Sequence, residues 1–237
     1  MALPLSSLEG PVGALFCDLD GTLTTGGRLE SSTLAALEAL DAAGVPLILV
    51  TGRPGGWAHA LQLLLPFRAA IAENGGITYL RDGAHVRKHL VLDPHALGAW
   101  RQRALALAGE LMDAVPGARL SSDTAYREVD VAIDWNEEVS LSAQAADALV
   151  AGARAAGFAA FRSSVHVHIS PSSHDKLSAS RALVAELLGG APDRLDPYLF
   201  VGDSLNDAPM FAGFRELAAR ILELLGEEKQ GGGEAGR

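Results

Sequence analysis

The chain has 237 residues, 49% hydrophobic and 20% charged, which suits one large domain or a core with a modest second domain. Its formal net charge of -10 and pI near 5.1 argue against nucleic acid or an anionic membrane surface as partner, since both call for a basic face. The single cysteine, Cys17, excludes an internal disulfide, and no stretch reads as a signal peptide or a membrane span, so the cytoplasm is the expected location.

The apolar run Gly13 to Cys17 predicts a short buried strand. Ser31 to Ala43 predicts a helix capped by serine and stopped by Gly44, with Leu34, Leu37 and Leu40 at helical spacing. Pro46 to Val50 is a second strand, Gly56 to Leu65 a second helix and Ala69 to Ala72 a third strand. Apolar strands alternating with helices of this length predict an α/β fold with a parallel sheet covered on both faces.

The rhythm then changes. Ile77 to Leu92 reads as a hairpin turning at Asp82-Gly83, followed by a helix over Pro94 to Val115 and a strand over Arg127 to Trp135. Another helix spans Leu141 to Ala156, and Phe161 to Ser170 alternates as one strand. These elements lack βαβ order and predict an α+β module inserted into the core. From Asp175 a helix runs to Leu188, and Tyr198 to Ser204 is a further buried strand with a polar end. The expected division is a discontinuous core over 1-82 and 172-225, an inserted domain over 83-171, and a low-complexity tail over 226-237 expected to be disordered.

In a parallel sheet, ligands bind beyond the carboxyl ends of the strands, so what each strand ends with sorts the chemistry. The first ends in Asp18 and Asp20, which share a face at i and i+2. Carboxylates that close repel unless a cation or a shared proton offsets the cost. The second strand ends in Thr51-Gly52-Arg53, the third in Glu73-Asn74-Gly75-Gly76, and the last in Gly202-Asp203-Ser204-Leu205-Asn206-Asp207. Brought together, these groups suit a hard divalent cation beside a phosphate held by backbone N–H groups and a lysine. Lys176 stands in the first turn of a helix, where the dipole disfavours a cation, so a ligand for it is expected.

The segments "DLDGTLT", "TGR", "DK" and "GDSLNDAPM", in this order, resemble the haloacid dehalogenase superfamily, and the insertion resembles the C2 cap of its sugar-phosphate phosphatase branch. The resemblance implies a Rossmann-like core with Asp18 as nucleophile and Asp20 as acid and base. It implies Mg2+ held by Asp18, the Asp20 backbone carbonyl, Asp203 and Asp207. Thr51, Gly52 and Lys176 would hold phosphate, with Asn206 a further phosphate or substrate contact. The implied activity is Mg2+-dependent hydrolysis of a small phosphorylated metabolite, a sugar phosphate or a phosphorylated glycoside or glycerate, through an aspartyl phosphate. A phosphosugar mutase, a phosphoacceptor or binding module, and an inactive core stand as alternatives.

Three features carry weaker signals. Arg127, with Asp123 and Asp130, is either a substrate contact or part of a structural ion pair. His166 and His168 share a strand face, which is also metal-ligand geometry, but no third ligand is evident and a strand face of the cap or core is expected. Family members continue past the "GDSLNDAPM" segment into another strand, whereas here Phe214, Leu217, Ile221 and Leu225 have helical spacing and no strand signal intervenes. A sheet edge left uncovered there would drive self-association.

Overall fold

A computed structural model describes residues 12-195, 197-203 and 207-216. Its chain order is β1 (Ala14–Cys17), β2 (Thr24–Thr25), β3 (Arg28–Leu29), α1 (Ser31–Ala42), β4 (Leu47–Val50), α2 (Gly55–Leu64), β5 (Phe67–Ala72), β6 (Ile77–Asp82) and β7 (His85–Leu90). There follow α3 (Pro94–Ala114), β8 (Arg119–Leu120), β9 (Val131–Asp134), α4 (Ala143–Ala155), β10 (Ala159–Arg162) and β11 (His166–Ser170). The chain then forms α5 (Lys176–Leu187), β12 (Tyr198–Val201), α6 (Ala208–Gly213) and β13 (Arg215–Glu216).

The main sheet has seven strands in the order β13-β12-β1-β4-β5-β6-β7. β12, β1, β4 and β5 run parallel, and β6 and β7 add an antiparallel hairpin. Strand alternation divides the core between the two faces. Phe16, Ile48, Val50 and Phe200 pack on one side, against Leu183 and Val184 of α5. Cys17, Leu47 and Leu49 pack on the other, with Leu37 of α1 and Ala58 of α2. All four residues of β4 are fully buried, as a central parallel strand requires. The α/β reading and the Rossmann-like parallel core are therefore correct.

A second sheet, β10-β11-β9-β8, is antiparallel and carries α3 and α4 on one face. Val131, Ile133, Val167 and Ile169 point to those helices. The period of two therefore turns Ala132, His166 and His168 to the opposite face, and that face looks onto the main sheet's strand ends. The histidines do share a strand face of the inserted sheet, as expected, and that face lines a cleft.

Several expectations need correction. The strand β7 belongs to the main sheet, so the inserted sheet and helices begin after Leu90, later than residue 83. Phe161 to Ser170 is two antiparallel strands, because Ser163 turns the chain: its Oγ accepts from His166 N at 3.0 Å. Ser31 does not cap α1; Glu30 takes the cap position without a side-chain bond. Beyond α6 the chain enters β13, parallel to β12, where no strand was expected. Phe214 causes this: it is buried, with its ring centroid 4.9 Å from that of Phe16, and it draws the following residues along the sheet. The expected helix beyond Glu216 and the tail over 226-237 lie outside the described residues.

Candidate active site

The first strand delivers Asp18 to the carboxyl edge of the main sheet, where Asp18 N donates to Val201 O of β12 at 2.8 Å. Asp18 is 4% exposed. Gly21, at φ +81°, turns the chain next to Asp203, and a Cβ there would overlap the Asp203 carboxylate. Only glycine lets the loop after β1 come this close to the loop after β12.

Lys176 opens α5 behind a capping box formed by Asp175 and Ser178. Its Nζ donates to Asp18 Oδ1 and Asp207 Oδ1, both at 2.6 Å, in a site where Lys176 is 1% exposed. Burial alone would depress the lysine, but Asp18 and Asp207 outweigh it and hold Lys176 above the ordinary lysine range. Burial pushes the Asp18 carboxyl up to about 7; Lys176 opposes this, while Asp207 and Asp20 add to it. Carboxylate oxygens of Asp18, Asp203 and Asp207 lie within 4.8 Å of one another. One ammonium against three clustered carboxylates leaves negative charge in excess, and an all-oxygen donor set of this kind fits a hard divalent cation.

Asp20 stands apart from that cluster. Arg53 binds it through both forks, Nε to Oδ2 at 2.9 Å and Nη2 to Oδ1 at 3.0 Å. The same guanidinium reaches Glu137 Oε1 at 3.0 Å and lies over the Trp57 ring at 5.2 Å. Glu137 is set by its turn, since Asp134 accepts from Glu137 N at 2.8 Å and Glu138 N at 2.9 Å. Arg53 thus ties the candidate acid–base residue to the inserted domain.

Thr51 is fully buried beneath the loop, where its Oγ1 accepts from Arg53 N at 3.0 Å, and half-buried Gly52 forms part of the lip of the cleft. Arg127 lines the cleft but is committed to protein partners. It grips Asp123 through Nε and Nη2, both at 2.8 Å, and gives Nη1 to Asp130 Oδ1 at 2.9 Å and Gly52 O at 3.0 Å. Of the two readings left open for Arg127, the structure displays the ion pair. Against the cost of burial, Arg127 holds the Asp123 and Asp130 carboxyls below the usual range, with His168 assisting at Asp130. His168 Nδ1 meets Asp130 Oδ2 at 2.7 Å. His166 Nε2 approaches Glu137 Oε2 to 2.8 Å but off the hydrogen-bonding direction, so this is a close approach and not a bond.

These groups enclose a cleft of about 290 Å³ between the two sheets, lined by Asp18, Asp20 and Asp203 on one side and by Arg127, His166 and His168 on the other. The strand-end reasoning thus brings Asp18, Lys176, Asp203 and Asp207 together and sets Asp20 and Gly52 at the cleft mouth. Asn206 lies outside the described residues. Sequence reasoning missed Arg53, Glu137 and the cleft-facing role of the histidines. Arg53 was visible as the third residue of "TGR"; the others depend on how the inserted sheet docks.

Residues 15-96 match the model of the haloacid dehalogenase-like hydrolase family. A phosphoglycolate phosphatase of Haloarcula marismortui is 30% identical over 211 residues, covering 86% of this chain and 82% of that protein. Protein 0175 of Thermoplasma acidophilum shares the fold at a TM-score of 0.70 and 22% identity, over 91% of this chain and 90% of that one. The sucrose-phosphatase of Synechocystis does so at 0.60 and 20% identity, over 95% and 90%. A buried aspartate clamped by lysine at the end of the first strand, a carboxylate cluster beside it and a full-length relative agree: this chain belongs to the haloacid dehalogenase-like hydrolases and is a phosphatase.

Proposed function

We propose that the protein is a Mg2+-dependent phosphatase of a small phosphorylated hydroxy acid of the glycolate or glycerate kind, working through an aspartyl phosphate on Asp18. The observation that carries this reading is the placement of Asp18 between Lys176 and the Asp203–Asp207 pair, with Asp20 free of that cluster and facing the same cleft. The substrate class is supported by the relative named for phosphoglycolate, by the modest cleft volume of about 290 Å³, and by a far wall that carries the Arg127 guanidinium, Ser164 and a His166 ring nitrogen, Nε2, that no hydrogen bond occupies. Such a wall suits an acceptor-rich, anionic leaving group.

Asp18, Asp203 and Asp207 would hold the cation, with the Asp20 carbonyl completing the set. When bound, the cation supplies charge neutralisation to the phosphate. The protein's own groups then divide the work. Asp18 attacks phosphorus, and the bond from phosphorus to the substrate's alcohol oxygen breaks as Asp20 protonates that oxygen. Asp20 next takes a proton from water, which attacks the phosphorus and restores the Asp18 carboxylate with release of phosphate. Lys176 neutralises Asp18 throughout, and the Gly52 N–H donates to a phosphate oxygen. Arg53 holds the Asp20 carboxylate toward the cleft.

The test is phosphate release from 2-phosphoglycolate, 3-phosphoglycerate, glucose 6-phosphate and p-nitrophenyl phosphate, each with and without Mg2+. Preference for the two acids supports the proposal; preference for the sugar phosphate returns the substrate to the sugar class. Asp18→Asn abolishes turnover. Asp20→Asn slows it by about 10²–10⁴-fold, whereas a pure phosphoacceptor would be little affected. Phosphate release without sugar isomerisation excludes a mutase.

A further inference from the structure

Glu73 sits where the two halves of the molecule meet. It follows β5 in a left-handed conformation, φ 49°, and Asn74 repeats it at φ 55°, a region that residues with side chains seldom enter. Strain of that kind persists where the surroundings fix it, and here they do. The Glu73 side chain is fully buried, and its four hydrogen-bond partners are backbone N–H groups. Oε1 accepts from Gly55 N and Glu128 N, both at 3.0 Å; Oε2 accepts from Val129 N at 2.7 Å and Asp130 N at 3.0 Å.

Gly55 opens α2 just past the Thr51–Arg53 loop, and residues 128-130 carry the chain into β9 of the inserted sheet. The backbone of the same turn holds the loop from below, with Glu73 N donating to Arg53 O at 3.1 Å and Asn74 N to Thr51 O at 3.2 Å. One residue before this stretch stands Arg127, whose Nη1 reaches Gly52 O at 3.0 Å, and its last member, Asp130, orients Arg127 and His168. Docking is tight: a Cβ on Gly76 would meet Val129 Cγ1 at 2.7 Å.

We propose that Glu73 is a positioning residue. It bolts the segment carrying Arg127 and Asp130 to the phosphate-binding loop, so that the cleft keeps its width and substrate affinity depends on a carboxylate that never touches substrate. The activity arm of this proposal rests on the phosphatase reading above; the exchange arm does not.

Glu73→Gln keeps the side chain's size but leaves one acceptor oxygen, so the amide NH2 faces two N–H donors in either orientation. Native-state amide exchange at Gly55, Glu128, Val129 and Asp130 then rises about tenfold or more, while β1 and β4 amides stay unchanged. KM for p-nitrophenyl phosphate and the inhibition constant of inorganic phosphate rise about tenfold, with kcat held within about threefold. A merely structural role would instead lower Tm and scale activity with the folded fraction, leaving KM and local exchange as in wild type. That result overturns the proposal. If the variant does not fold, wild-type exchange decides: the four amides should exchange as slowly as those of β4, and exchange at open-loop rates overturns the proposal. A wild type with protected amides but no hydrolysis would refute the phosphatase reading and leave the clamp standing.

Discussion

Lys176 Nζ stands midway between two carboxylates, 2.6 Å from Asp18 Oδ1 and 2.6 Å from Asp207 Oδ1, in a site almost closed to water. Removing one partner of a buried ionic set leaves uncompensated charge, at a cost of about 3–5 kcal/mol. Lys176→Met therefore lowers Tm in metal-free buffer and abolishes phosphate release. Added Mg2+ recovers part of the Tm, because a dication offsets the same two carboxylates, but it does not recover turnover. Melts with and without Mg2+ check this; a variant as stable as wild type without metal would contradict it.

The carboxylate cluster yields a second expectation. A ligand that binds only the folded state stabilises it, by about 2.7 kcal/mol at a hundred times its dissociation constant. Mg2+ should raise the Tm of the wild-type chain, and Asp203→Asn should remove most of that rise while leaving the metal-free Tm close to wild type. Asp203 is exposed and takes part in no ion pair among the described residues, so its loss is read in the metal response and not in the fold.

The strand-end half of this site was legible because strand ends are local. Asp18 and Asp20 follow an apolar strand directly, and the parallel order placed Thr51, Glu73 and Asp203 on the same edge. Lys176 could be singled out because a cation in a first helical turn opposes the helix dipole. The cap wall was not legible in the same way. Alternation set His166 and His168 on one face, but which face meets the cleft depends on α3 and α4 covering the other, a tertiary choice. Glu73 lay in plain view within "ENGG", yet its partners are backbone N–H groups 18 residues back and 55 to 57 residues on, for which sequence carries no sign. The short strand β13 was hidden for a related reason: Arg215–Glu216 has no strand pattern, and the packing of Phe214 puts it there.

Arg127 faces both the Asp123–Asp130 pair and the cleft, and the two roles that this allows are separable by substitution. Its guanidinium grips Asp123 and Asp130 from a side chain 1% exposed, and Lys at this position could not make both forks. Arg127→Lys should destabilise the fold by about 1–3 kcal/mol, since donors to buried carboxylates are lost while charge is kept. If Arg127 also reads the leaving group, KM for 2-phosphoglycolate rises in the variant more than KM for p-nitrophenyl phosphate, which has no carboxylate. Equal changes would confine Arg127 to structure.

His166 gives the pH dependence its sign. Burial, with His168 and Arg127 beside it, lowers the His166 imidazole to about 4 from its ordinary 6.5, and Glu137 and Asp123 only partly oppose this. The folded chain therefore binds this proton less well than the unfolded chain. The contribution is fully present above pH 6.5 and is lost as pH falls toward 4, reaching about 3 kcal/mol at most. Asp18 and Glu73, both raised to about 7, act in the opposite sense over much of the same window, so the wild-type curve mixes signs. The diagnostic is a difference: His166→Gln has no proton to gain, so its unfolding free energy should gain on wild type steadily between pH 6.5 and 4 and run parallel above. Curves that stay parallel throughout that range would mean His166 titrates as a solvated histidine, and the cleft wall would then carry a positive charge at mildly acid pH.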